Sequence, residues 1–211
     1  GASVTPTVNI VTYMTDRFSV FGNQSSKFSA QQNAGAVTPP EGFSNYLGVT
    51  SLSSYAVGSA DVFLIQQNIE GFNCADLDWG TANAKAVTLS FQVYSSLTGT
   101  FGGVLKNSAA DRTYPFSYSI SVANTWTTIS VTVAGDTTGT WLTDNGIGIR
   151  VQFGLGIGST FSGTAGAWAS ANYVSATGAT SVVGTNGATL YITGVQLEVG
   201  DTATSFDYRP Y

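Results

Sequence analysis

The chain contains no histidine. That removes the commonest general base and the commonest metal ligand. Ser-His-Asp catalysis, Cys-His catalysis and His-ligated zinc are therefore excluded within one chain. Catalysis would have to run on carboxylates alone, as glycoside hydrolysis does. Asp76 and Asp78 flank Leu77 just before Trp79. On a strand, residues two apart share a face and sit about 6–7 Å apart, which overlaps the separation that two-carboxylate hydrolysis uses. The same pair would serve as a loop cap or as oxygen ligands for calcium. Aromatic rings offer a different chemistry, because the C–H face of a sugar stacks on an indole or phenol while amides and hydroxyls bind its hydroxyls. Trp79, Trp141, Trp168 and Tyr173 fall in loop or loop-edge segments, where a core position is the leading reading for each taken alone and a sugar platform the alternative. Trp168 lies in a Gly/Ala/Ser-rich stretch with little apolar company in the local sequence. In an extended 167–173 segment, Ser170 and Asn172 would share its face, and Tyr173 would complete a platform. A second candidate surface is an outward sheet face carrying Gln92, Tyr94, Arg150 and Gln152, fit to hold a glycan or a neighbouring subunit. Trp126 opens a strand and reads as core or as a plug between strands.

The elements that must position these groups are strands. Val87, Leu89, Phe91 and Val93 alternate with Thr88, Ser90, Gln92 and Tyr94. Ile147, Ile149, Val151 and Phe153 alternate with Gly148, Arg150 and Gln152. Segments 116–120 and 129–133 repeat the pattern, which is that of half-buried antiparallel sheet. Shorter strands are expected near 17–21, 47–53, 61–69, 99–106 and 166–174. Residues 22–45, rich in Ser, Gln and Asn and carrying Pro39-Pro40, read as a long irregular loop with a little extended structure. Leu190 and Ile192, then Val195 and Leu197, form a last strand whose phase breaks at Gly194, as at a bulge. Eight to ten strands predict an all-β, antiparallel two-sheet β-sandwich with jelly-roll topology. It would form a single domain over 1–211: an N-terminal extension and long loop at 1–45, the sandwich at 46–200 and a tail at 201–211.

Charged residues make up 9% of the 211 residues, against roughly 25% in an average domain. The formal net charge is −5, and the seven Lys and Arg are scattered. With no basic cluster to neutralise a row of phosphates, nucleic acid is not an expected partner. No apolar run approaches the length of a membrane span, so no membrane insertion is expected. The 12 Phe, 10 Tyr and 4 Trp argue against disorder. Cys74 is the single cysteine, leaves no internal disulfide and reads as a small buried residue.

Two resemblances sharpen the reading. The ending from Tyr191 to Tyr211 is similar to the "TGVQLE-G-TAT-F--RPY" ending of phage tail-fibre and tail-appendage proteins. Thr193 to Glu198, Gly200, Thr202 to Thr204, Phe206 and Arg209 to Tyr211 carry that match. Ile69 to Asn73, Asn107 to Arg112 and Gly135 to Gly146 add to it. Separately, Phe63 to Gln67, Val87 to Val93, Thr125 to Val131 and Val195 to Glu198 resemble, in that order, the strand series of carbohydrate-binding jelly-roll modules. Together they imply a non-catalytic, receptor-binding C-terminal domain that recognises a host cell-surface saccharide. It would sit on the virion, in an extracellular-facing tail appendage, as a homotrimer. A structural calcium is a further implication, since such jelly rolls often hold one, although no Asp/Asn-rich loop of recognisable spacing is present. The alternatives are a structural trimerisation or capping domain with no ligand of its own and, third, a glycan-degrading enzyme. Arg17, Glu70 and Glu198 read as charges that tie the termini to sheet edges, and Asp111-Arg112 as a surface turn pair.

Overall fold

A computed structural model describes residues 2–15 and 17–208. The two-residue alternation resolves into two antiparallel sheets packed face to face. The first runs in the spatial order β1 (Thr12–Tyr13), β2 (Phe18–Gly22), β5 (Val62–Glu70), β10 (Ile147–Ile157), β7 (Gly99–Lys106) and β8 (Thr113–Ile120). The second runs β3 (Phe28–Gln32), β4 (Leu47–Ser51), β13 (Thr189–Val199), β6 (Val87–Ser95) and β9 (Thr127–Val133). A short parallel pair, β11 (Ser162–Gly163) and β12 (Ser175–Ala176), stands apart. Only β1–β2, β3–β4 and β7–β8 join neighbours within one main sheet, and the other connections between main-sheet strands cross over. This is an antiparallel β-sandwich of jelly-roll topology.

The core follows from the strand phase. Leu89, Phe91 and Val93 on β6 face Ile149, Val151, Phe153 and Leu155 on β10, none of them more than 1% exposed. Phe91 meets Phe153 and Tyr118 edge-on, with ring centroids 5.0 and 5.1 Å apart, the arrangement that aromatic quadrupoles favour.

Two segments differ from expectation. Residues 22–45 contain a core strand, β3, in which Phe28 and Ala30 are buried and Phe28 pairs with Ser51 of β4. Its five residues carry two apolar side chains among Ser and Gln, too short a run for the alternation to stand out. Segment 166–174 is not a strand. Its one ladder contact is at Ala169, which exchanges two backbone hydrogen bonds with Thr113 of β8. The chain from Ala169 to Ala176 then crosses the outward face of the six-stranded sheet as a roof. Ser175 lies so close to Gly102 that a Cβ there would come within 2.4 Å of its hydroxyl. Small residues bury little in a sheet of their own, but they allow this approach.

Candidate functional site

β4 leaves its sheet at Leu47, paired with Ile192, while β13 continues to Val199 beside β6. Gly194 marks the bulge: its φ is +59° and the register shifts between Thr193 and Gln196. The space that β4 vacates is filled by the 42–46 turn and by the C-terminal tail. Gln196 accepts the Asp207 backbone N–H at 2.8 Å, and Glu198 accepts that of Thr204 at 3.1 Å. This clasp delivers Phe206 and Tyr208 against Phe43, with centroids 5.2 and 5.7 Å from it and 5.0 Å from each other. The Tyr208 hydroxyl donates to the Gly42 carbonyl. Phe43 in turn lies on Gly194, where a Cβ would sit 2.5 Å from its ring. Arg209, Pro210 and Tyr211, the last residues of the matched ending, lie outside the described residues.

Between this aromatic group and the ends of β2 and β5 opens a cleft of about 690 Å³, lined by Phe18, Gln32, Asn45, Gln67, Phe206 and Tyr208 among others. Its size falls in the usual range for ligand sites. Tyr208 is 58% and Phe206 37% exposed, so ring surface is available for contact. Among the described residues no protein group bonds the side-chain amides of Gln32 and Gln67. At the lip, Arg17 faces Glu70 at 3.8 Å, both largely exposed, a pairing worth little. The arrangement can stack a flat apolar face and hydrogen-bond hydroxyls. The sequence reading names Phe206 only as part of the matched ending, and does not name Phe43 or Tyr208 as site residues. The available signal was the Phe206-Asp207-Tyr208 alternation beyond the last strand.

The candidate tryptophans do converge, but not as an open platform. Trp79, Trp141 and Trp168 pack edge-to-face with centroids 4.6, 5.3 and 5.5 Å apart, and Tyr114 meets Trp168 at 5.3 Å. Each indole N–H is bonded internally: Trp79 to Lys85 O at 2.7 Å, Trp168 to Ala134 O at 2.7 Å, and Trp141 to Thr138 O at 3.2 Å. Beside them Arg112 grips buried Asp136 with two bonds, of 2.8 and 2.6 Å, and its partner is thus not the adjacent Asp111. The apolar company that Trp168 lacks locally comes from loops distant in sequence. Ser170 joins the cluster by accepting from Arg112 at 2.8 Å. Asn172 instead accepts from Lys106 at 3.1 Å, and the Tyr173 ring lies on Gly163.

The expected four-residue sheet face divides in two. Gln92 and Tyr94 point outward from the five-stranded sheet, Arg150 and Gln152 outward from the six-stranded one, on opposite sides of the molecule. Both strands share the polar-out phase, which cannot tell which sheet a strand joins. Tyr94 is committed to a stack, Tyr46–Tyr191–Tyr94, with centroids 5.0 and 5.3 Å apart, and Trp126 leans on Tyr46 and Tyr94. Gln92 donates to Thr128 at 2.8 Å. Gln152 is 3% exposed and donates to Gln66 at 2.9 Å.

Asp76 and Asp78 do not share a strand face. Ala75–Leu77 is a single 3-10 turn, Asp78 has a φ of +56°, and Lys85 lies 3.5 Å from its carboxylate. Among the described residues no three acidic or thiol groups converge as a metal site. Burial, with Asp76 and Glu70 adding, pushes the half-buried Cys74 thiol up to about 11, which leaves it a neutral thiol and a poor nucleophile.

No protein-family model matches the chain, and no curated protein matches it. Solved structures do. The chain is similar to the enzymatically active domain of bacteriophage CBA120 tailspike protein 4, with a TM-score of 0.50 and 11% identity, over 87% of this chain and 19% of that one. It is also similar to the family 11 carbohydrate-binding module from Clostridium thermocellum, solved with a β-1,3-1,4-mixed-linked tetrasaccharide (TM-score 0.44, 11% identity, 93% and 94% of the two chains). A CBM4 module gives a TM-score of 0.44 and 12% identity over 82% and 95%. The chain thus spans only 19% of the tailspike domain's length. At these identities the likeness is one of fold.

Proposed function

We propose that this chain is a non-catalytic receptor-binding domain of a phage tail fibre or related tail appendage, facing outward from the virion. In this reading the cleft at the mouth of the sandwich takes a host cell-surface saccharide. One observation carries it: exposed Phe206 and Tyr208 stand across the cleft from the Gln32 and Gln67 amides, which no group among the described residues bonds. Rings supply a stacking surface and amides supply directional bonds, the two requirements of a sugar site. The resemblance of the C-terminal ending to tail appendages supplies the setting.

Self-association as a homotrimer belongs to the same proposal. Ile10, Val11 and Tyr13 are 54%, 41% and 69% exposed along the β1 edge of the six-stranded sheet, an apolar strip that a neighbouring copy would cover. Three weak sugar sites on one assembly would act together by effective concentration. A glycan array probed with the purified chain tests the binding. Selective retention on bacterial surface saccharides is the expected outcome, and an array without signal at micromolar protein contradicts it.

A further inference from the structure

A second polar site lies away from the cleft, on the outward face of the six-stranded sheet beside the 169–176 roof. Arg150 on β10 pairs with Asn68 on β5 to one side and with Lys106 on β7 to the other, so the three side chains form a row across adjacent strands. Gln66 and Gln152 form the next row. Lys106 is 4% exposed and Arg150 half-buried. The ion pairs among the described residues are Arg17–Glu70, Lys85–Asp78 and Arg112–Asp136, so neither cation has a carboxylate. Among the described residues Lys106 has a single acceptor, Asn172 Oδ1 at 3.1 Å, and the Arg150 guanidinium has none. Next to these spare donors, two buried acceptors, Asn68 Oδ1 and Gln152 Oε1, also lack partners.

Burying a cation without an anion is costly, and each buried acceptor left unbonded adds a smaller cost of its own. Burial, with Arg150 beside it, pushes the Lys106 ammonium down to about 8. A hydrophobic residue at position 106 would pack on neighbouring Val104 at no such cost, so the charge is unexplained by folding. What is missing is a group that brings an anion and hydroxyl donors together. We infer that this row binds an acidic sugar, its carboxylate toward Arg150 and Lys106 and its hydroxyls toward Asn68 Oδ1 and Gln152 Oε1. Arg150 offers the planar fork that matches a carboxylate. Asn172, exposed on the roof, is the residue whose bond to Lys106 the carboxylate replaces.

The site is independent of the cleft, and NMR titration with monosaccharides separates the two. Glucuronic acid, glucose and inorganic phosphate are added to the intact chain, to Arg150→Gln, to Lys106→Met and to the cleft variant Tyr208→Ala. Glucuronic acid is expected to shift the Asn68 and Gln152 side-chain amide signals, while glucose and phosphate leave them in place. Arg150→Gln and Lys106→Met should each weaken that binding roughly tenfold or more, and Tyr208→Ala should not. Lys106→Met should melt no lower than the parent, since it removes an uncompensated charge. Equal binding of glucose, equal binding of phosphate, or undiminished glucuronic acid binding in folded Arg150→Gln overturns the inference. Loss of glucuronic acid binding in Tyr208→Ala overturns it too, because the cleft would then be its site.

Discussion

Trp168 illustrates how a residue's surroundings decide its role. Its indole packs against Trp79, Trp141 and Tyr114 and spends its N–H on Ala134. Trp168→Ala should therefore destabilise the domain by about 2–3 kcal/mol, short of a full core truncation. A thermal melt checks this, and an unchanged midpoint would mean that the ring is not packed as described. The neighbouring ion pair gives a pH signature. Burial alone would raise the Asp136 carboxyl, but the bonds from Arg112 and Thr138 hold it below the usual carboxylate range. A carboxyl depressed in the folded state contributes stability that is complete above its unfolded value, about 4. That contribution is lost as pH falls through the lower folded value. Asp136→Asn should flatten the acid limb of the stability–pH curve, measured by chemical denaturation, and should cost about 3–5 kcal/mol at neutral pH. A core role for each tryptophan was open from sequence, but neither their meeting in one cluster nor the pairing of Asp136 with Arg112 could be read from it. Each tryptophan sits in a loop with its own polar neighbours, and only the folded chain brings the loops together.

At the level of elements, the strands of regular period were legible and the clasp was half legible. β6, β10 and β13 are long, with strict alternation, and Gly194 breaks the phase of β13 where the bulge occurs. The Gln196–Glu198 segment stood out as a motif, yet its task appears only with the tail in place: Gln196 and Glu198 hold Thr204 to Asp207 where a paired strand would otherwise run. Substituting Glu198→Ala should release the tail at a cost of about 1 kcal/mol while weakening saccharide binding far more. The Thr204 hydroxyl holds the Glu198 carboxyl low, so the clasp is complete above the ordinary Glu value and loosens as pH falls through the lower folded one. Amide exchange over residues 203–208 reports the release, and unchanged protection in Glu198→Ala would show that the tail is held by its aromatic contacts alone. The core position of β3 and the roof path of 169–176, expected as a little extended structure and as a strand, were missed for one shared reason. Their structure depends on what they lie against, which a local pattern of Ser, Gln, Ala and Gly does not carry.

For the whole molecule, the two sheets divide the labour. One outward face is closed by the stack of Tyr46, Tyr191 and Tyr94, the other carries the roof and the Arg150–Lys106 row, and the cleft opens at the edge between them. The β1 edge exposes Ile10, Val11 and Tyr13, the strip that the proposed trimer would cover. Light scattering should give about three times 21.9 kDa, and Tyr13→Lys should shift the distribution toward monomer. A monomer over a wide concentration range would remove the trimer from the account.

The central claim is that the mouth cleft, and not the tryptophan cluster, binds saccharide. The most direct measurement compares parent, Tyr208→Ala and Phe206→Ala proteins for binding to host cells or to the saccharide that an array selects, with melting temperature recorded on each sample. Both variants should keep a melting temperature close to that of the parent and lose saccharide binding by about tenfold or more, the loss expected for a stacking ring. Full binding by folded Tyr208→Ala and Phe206→Ala would contradict it.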